Sequence, residues 1–133
     1  MKPVKARIVK SLNHGSLIPA CDNSGAKITR LISVRGAKTV KGRAPAAGVG
    51  DMVSVSIIKG KPDMRKQVMW AIVVRQKKEY RRLDGTRVKF ADNAVVVLKD
   101  KQGNPKGTMI KGPIAKEAAE RWPGISKIAS VIL

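Results

Sequence analysis

Two short aliphatic runs, Ala71-Ile72-Val73-Val74 and Ala94-Val95-Val96-Val97, frame the stretch that most constrains what this chain can fold into. Runs this short and this rich in β-branched residues form strands, because stiff branched side chains pack well on a pleated surface. Between them lies a cationic segment that turns at Asp84-Gly85, where glycine takes positive φ without steric penalty. The whole, Ala71 to Val97, reads as an antiparallel ribbon with its roots in a core and its tip in solvent. Arg75, Lys77, Lys78, Arg81, Arg82, Arg87 and Lys89 lie along the tip and face only Glu79 and Asp84. Sheet edges use charge to block aggregation, but they mix signs. Seven cations against two anions call for an anionic partner.

The imbalance extends to the whole chain. Its 133 residues carry 28 Lys+Arg against 9 Asp+Glu, a formal charge of +19. A hydrophobic content of 43% is too high for a disordered basic tail and suits one domain, 1–133, with a modest core. Nucleic acid is the leading neutralising partner, with an anionic membrane surface second. No apolar run approaches the ~20 residues of a membrane span. The first fifteen residues lack the apolar h-region of a secretory signal, which places the expected site of action in the cytoplasm.

Taken in order, Met1 to Leu12 is an edge strand or a basic arm. Leu17 to Cys21 reads as a short strand, and Pro19 puts it at an edge or bulge because proline gives the ladder no N–H. Asp22-Asn23-Ser24-Gly25 is a turn, and Lys27 to Arg35 a second strand. Gly36 to Gly50 is small, Gly-rich and cationic, and reads as a protruding basic loop. In Met52 to Ile58, Val53, Val55 and Ile57 alternate with Ser54 and Ser56, a half-buried strand pattern. Lys59 to Lys66 is a second basic loop, and Val68 to Val74 is apolar on both faces, as in a closed barrel or sandwich core. Gly112-Pro113 opens the only clear helix, Pro123-Gly124 ends it, and Ile114, Ala118 and Trp122 share its apolar face. Short strands followed by one late helical part, about 113–130, suggest a mainly β fold: a small barrel with a projecting ribbon.

Signs of catalysis are lacking. Cys21 is the only cysteine, so no intrachain disulfide or cysteine-based zinc cluster is encoded, and a catalytic thiol would want a nearby base, for which His14 is the only histidine. Cys21 reads as a small buried apolar residue and His14 as a loop residue. The nine carboxylates are scattered among lysines and arginines, and no P-loop or dinucleotide glycine pattern is present. No cofactor or metal is expected. Aromatics are also scarce: Trp70 and Trp122 read as structural, leaving Tyr80 and Phe90. A reader of single-stranded bases needs an aromatic platform for stacking. Lysine and arginine must here act mainly on phosphates and on the shape of folded RNA or duplex.

The residues also resemble a known family, that of large-subunit ribosomal protein L-fourteen. The resemblance rests on Ala71, Ile72-Val73-Val74, Asp84-Gly85, Phe90, Asn93 and Val96-Val97 in one spaced signature. Asp22-Asn23-Ser24-Gly25-Ala26, Val49-Gly50-Asp51, and Gly107-Thr108 with Gly112-Pro113 extend it along nearly the whole chain. The segment before Cys21 and the run Glu120 to Ile125 are similar to the archaeal and eukaryotic branch, so an archaeal type is indicated. The resemblance implies a five-stranded barrel, a β-ribbon and a small C-terminal helical part. It implies a structural role in the large subunit of the cytoplasmic ribosome, binding large-subunit rRNA and packing beside ribosomal protein L-three. It implies a bridge to small-subunit rRNA, on a face where anti-association factors also dock. By position, Lys59, Lys61, Arg65 and Lys66 match the family's basic rRNA-binding loop, and Lys41 with Arg43 matches another. On the ribbon, Lys77, Lys78, Arg81 and Arg82 are expected to bind rRNA as well. Thr108, Lys127 and Ser130 match the subunit-facing side, and Met109 joins them where bacterial relatives carry arginine. On charge alone, a free nucleic-acid-compacting or RNA-chaperone-like protein is the alternative.

Overall fold

The computed structural model describes residues 1–133. In chain order the strands are β1 (Ala6–Arg7), β2 (Leu12–Asn13), β3 (Leu17–Pro19), β4 (Ala26–Val34), β5 (Ala46–Ala47), β6 (Met52–Gly60), β7 (Val68–Arg75), β8 (Tyr80–Arg82), β9 (Arg87–Val88), β10 (Ala94–Val97) and β11 (Pro113–Ile114). Helices α1 (Lys116–Arg121) and α2 (Pro123–Ile128) follow, and β12 (Val131–Ile132) comes last. The fold is mainly β, as the turn spacing predicts.

One five-stranded antiparallel sheet, ordered β10-β7-β6-β4-β3, carries the molecule. With five alternating strands the two edges run the same way, so any pairing between them has to be parallel. A single parallel bridge of this kind joins Ala20, just past β3, to Val95 of β10. There the Cys21 N–H donates to the Val95 carbonyl at 3.0 Å. Pro19 sits in the outer strand, where its missing N–H costs no ladder bond.

The two-sided apolar character of the central strands has a direct structural expression. Successive side chains of a strand point to opposite faces. Ala71 and Val73 therefore join Ile18, Leu31, Val53, Val55 and Val95 in one buried cluster, to which all five strands contribute. Ile72, Val74 and Val96 point the other way, into a larger cluster with Ala118, Trp122 and Ile125 from the helical part and Tyr80 and Phe90 from the ribbon. Both faces are thus covered, and burial is continuous from Ala71 to Gln76.

Three expected features take a different form. The ribbon does not stand free: β8 pairs with β9 on one side and with β1 on the other, and Gln76, Tyr80 and Phe90 are buried. Only half of the Gly36–Gly50 loop protrudes. Ala46 and Ala47 form β5 against β2, and Gly48, Val49 and Gly50 are buried. Gly48 has to be glycine because a Cβ would lie 2.7 Å from Ile8 Cγ2. Finally, Pro113 does not begin the helix. It lies in β11, paired parallel with β12, and α1 starts at Lys116. Pro123 both stops α1 and occupies the first turn of α2, where a proline nitrogen needs no donor.

Candidate nucleic-acid interface

Three of the nine acidic residues, Asp22, Asp51 and Glu117, are buried and committed inside the fold. Glu117 of α1 is buried; it accepts from Tyr80 Oη at 2.7 Å and from Arg82 Nε at 2.7 Å. Asp51 lies 2.6 Å from Lys10 Nζ and 3.4 Å from Arg121 Nη1, and accepts from the Gly48 N–H. Asp92 pairs with Arg75, whose Nη1 also donates to the carbonyls of Lys111 and Pro113. Arg75 is therefore buried cement rather than part of a charged tip. Asp22 accepts from the Val97 N–H at 3.0 Å and from Ser24 Oγ at 2.8 Å, sealing the β3–β10 seam. Burial holds its pKa above the ordinary aspartate value, against the pull of those hydrogen bonds. Asn23 reaches across to the opposite loop, taking the Thr108 N–H at 2.8 Å and donating to Thr108 Oγ1 at 2.8 Å. The Asp22-Asn23-Ser24 cluster is thus a structural fastener.

The cations are mostly uncommitted. Only Lys10, Arg75, Arg82, Arg87 and Arg121 form ion pairs, which leaves 23 of the 28 without one. The sequence-predicted residues fall into three exposed groups. Lys41 and Arg43 flank a tight turn in which Lys41 and Gly42 both have positive φ and the Arg43 N–H returns to Val40. Lys59, Lys61, Arg65 and Lys66 lie at the far end of β6, on a turn pinned by buried Met64 and by the Lys61 N–H to the Gly25 carbonyl. These two groups sit at opposite ends of the nine-residue β4 and β6 pair, roughly 30 Å apart along the strands. Lys77 and Lys78 meet Lys89 around a cavity of about 370 Å³ whose other walls are Ser11, Leu12 and Asn93. Glu79 borders this cluster on its other side but pairs with Arg87 at 3.5 Å. Arg81 is exposed, whereas the Arg82 guanidinium is taken up by Glu117 and by the Leu133 carbonyl at 2.6 Å.

The remaining four residues converge on one face. The Ile110 N–H donates to the Ile128 carbonyl at 3.3 Å, and Ser130 Oγ to the Ile110 carbonyl at 3.5 Å. This joins the Thr108–Met109 loop to the segment carrying Lys127 and Ser130. All four are exposed, with Met109 half out in solvent.

A family description, Ribosomal protein L14p/L23e, matches residues 11–133. The chain belongs to the ribosomal protein L14p/L23e family. It is similar to large ribosomal subunit protein uL14 of Nanoarchaeum equitans (strain Kin4-M), 57% identical over 133 residues and covering 100% of both chains. It is 55% identical over 132 residues to the uL14 of Methanococcus maripaludis (strain DSM 14266), and 54% identical over 132 to that of Methanococcus vannielii, covering 99% of each chain. Membership in L14p/L23e makes it a ribosomal structural protein and not an enzyme. No three His, Cys, Asp or Glu side chains converge to hold a metal ion. No helix is long and apolar enough to cross a membrane.

Tyr80 and Glu117 were invisible as a pair in the sequence, being 37 positions apart. The available signal was a lone tyrosine inside a basic run. Cys21 is buried as expected, and burial pushes its thiol pKa up from 9.0 to about 11. Below pH 9 the thiol is protonated in both states and leaves stability unchanged. Between about pH 9 and 11 the unfolded chain ionises first, so stability falls as pH rises through that window. At pH 8 a thiol reagent should label the native chain at least ~100-fold more slowly than the denatured chain. Equal labelling rates would contradict this burial.

Proposed function

We propose that this protein, a structural component of the large ribosomal subunit, binds large-subunit rRNA through its three cationic groups and presents the Thr108–Ser130 face as an intersubunit bridge. The observation that carries the reading is the Lys77, Lys78 and Lys89 cluster, whose 370 Å³ cavity has no carboxylate in its wall. Three lysine ammoniums whose one acidic neighbour, Glu79, pairs with Arg87 repel one another until polyphosphate neutralises them. Three of the nine acids are buried in internal joints, and 23 of the 28 cations have no ion-pair partner, so the surface carries a large cationic excess. Separated groups at both ends of the sheet suit a folded RNA that wraps the protein better than a linear groove for one strand. The bridge reading is supported by the convergence of Thr108, Met109, Lys127 and Ser130, held in register by Asn23 and the Ile110–Ile128 bond.

The test is a triple variant, Lys77→Gln/Lys78→Gln/Lys89→Gln, titrated with large-subunit rRNA in a salt series. Affinity should fall about 10- to 100-fold near ~0.1 M salt, and the slope of log affinity against log salt should drop by up to about 3. An unchanged slope would reject these lysines as phosphate contacts. Sedimentation separates the alternative: a protein found in a free pool at low salt, away from large subunits, is an RNA chaperone and not a subunit component.

A further inference from the structure

A second cationic recess lies apart from the three groups above, between the end of β4, the turn after Lys99 and the α1–α2 junction. It is a cavity of about 310 Å³ lined by Met1, Arg35, Lys101, Gln102, Arg121, Trp122 and Pro123. No carboxylate is in its wall. Its two arginines are tied to the fold by hydrogen bonds, and its lysine lies near a tryptophan ring. Arg35 Nη1 donates to the Lys101 carbonyl at 3.0 Å. Arg121 Nη1 donates to the Gly50 carbonyl at 3.2 Å, and its guanidinium lies 5.6 Å from the Trp122 ring centre. Lys101 Nζ stands 5.8 Å from the ring centre of Trp70. Both tryptophans of the chain thus serve as backing for a cation of this recess.

Of the nearby acids, one is shared with a recess cation and one is held within its own turn. Asp51 is shared between Arg121 and Lys10, with the shorter contact, 2.6 Å, to Lys10. Asp100 accepts from the Gln102 N–H at 2.9 Å and from the Asn104 side chain at 2.8 Å, within its own turn. Arg121 Nε is buried and has no hydrogen-bond partner in the protein. Two arginines tied to backbone carbonyls around one cavity, with a lysine beside them, can meet a phosphate with little further loss of arginine side-chain freedom. Guanidinium groups also offer the paired donors that phosphate oxygens accept.

We infer that the Arg35–Lys101–Arg121 recess is a binding site for a backbone phosphate of RNA. The inference rests on the rRNA-binding reading and adds to it a site that charge runs in the sequence do not mark, since these residues are scattered over 87 positions. Its test is Arg35→Gln/Lys101→Gln in the full chain, titrated with large-subunit rRNA in a monovalent salt series. The salt slope should fall by about 2 and affinity by roughly tenfold or more near ~0.1 M salt, and Arg35→Lys/Lys101→Arg should recover most of the loss. Lys101→Gln alone touches no side-chain hydrogen bond. It should lower the slope by about 1, which keeps the test valid if the double variant unfolds. A parental slope in both variants overturns the site while leaving the effect of the Lys77, Lys78 and Lys89 triple intact. A parent chain that fails to bind rRNA would sink both readings together. If the variants bind rRNA normally but are lost from assembled subunits, the recess holds an acidic protein segment and the RNA assignment is wrong.

Discussion

Replacing Glu117 with alanine is expected to lower the unfolding free energy by about 3–5 kcal/mol, the cost of removing one partner from a buried ion pair. Glu117 is 5% exposed and is the common acceptor for Tyr80 Oη and Arg82 Nε, each at 2.7 Å. Without it, a buried phenol and a half-buried guanidinium both lose their acceptor, and each keeps its desolvation penalty. Burial, followed by the hydrogen bond to Glu117, holds the Tyr80 pKa well above the ordinary tyrosine value. The ribbon would then lose its tie to α1, since Tyr80 and Arg82 lie in β8 and Glu117 in α1. Thermal melts should show a fall of roughly 10–20 °C for a chain of this size. Glu117→Gln, which keeps an acceptor, should lose less. A variant within about 1 kcal/mol of the parent would show that the joint is ornamental.

Gly60→Ala is expected to cost about 2–4 kcal/mol, by adding backbone strain to a steric clash. Gly60 has φ +153, and a Cβ there would sit 2.4 Å from the Gly25 carbonyl oxygen and 3.1 Å from Ala26 Cα. Both obstacles are backbone, so no side chain can swing aside. Relief requires β4 and β6 to separate where Ala26 and Gly60 pair. Lys61, whose N–H bonds the same Gly25 carbonyl, would move with them. The loop bearing Lys59, Lys61, Arg65 and Lys66 should therefore lose position as well as stability. Denaturant melts read the first effect, and rRNA titration of the still-folded fraction reads the second. A melting midpoint equal to the parent's would refute the close approach at this position.

How much of this was legible beforehand depends on how local the cause is. Alternation in Met52–Ile58 and the branched runs at Ala71–Val74 and Ala94–Val97 announce strands because period and side-chain shape act within a few residues. Pro19 marked an edge and Asp84-Gly85 a turn for equally local reasons; Asp84 Oδ1 takes the Thr86 N–H there. The sequence places the start of the helical part at Pro113, three residues before α1, because a first-turn proline and a β11 proline look alike without β12 beside them. The ribbon reaches outward less than its sequence suggests because the partners of Tyr80, Arg82 and Arg75 come from β1, α1 and the Lys111–Pro113 segment. Of the candidate site, residue type was legible and grouping was not. Charge runs and the ribbon pattern locate Lys77, Lys78, Lys89 and the Lys59–Lys66 loop, but nothing in the sequence tells that Arg82 is withdrawn from the first group.

The seam between the sheet's two edges has a consequence for how the molecule comes into being. Val97 and Asp22 are 75 positions apart, and the Cys21–Val95 contact spans 74. Closing so long a loop is entropically late work, worthwhile only after the intervening strands have found one another. Any nascent chain not yet made as far as Val95 lacks this stitch and presents an unzipped sheet margin. Such a chain, dense in positive charge, would meet RNA before its shell is fastened.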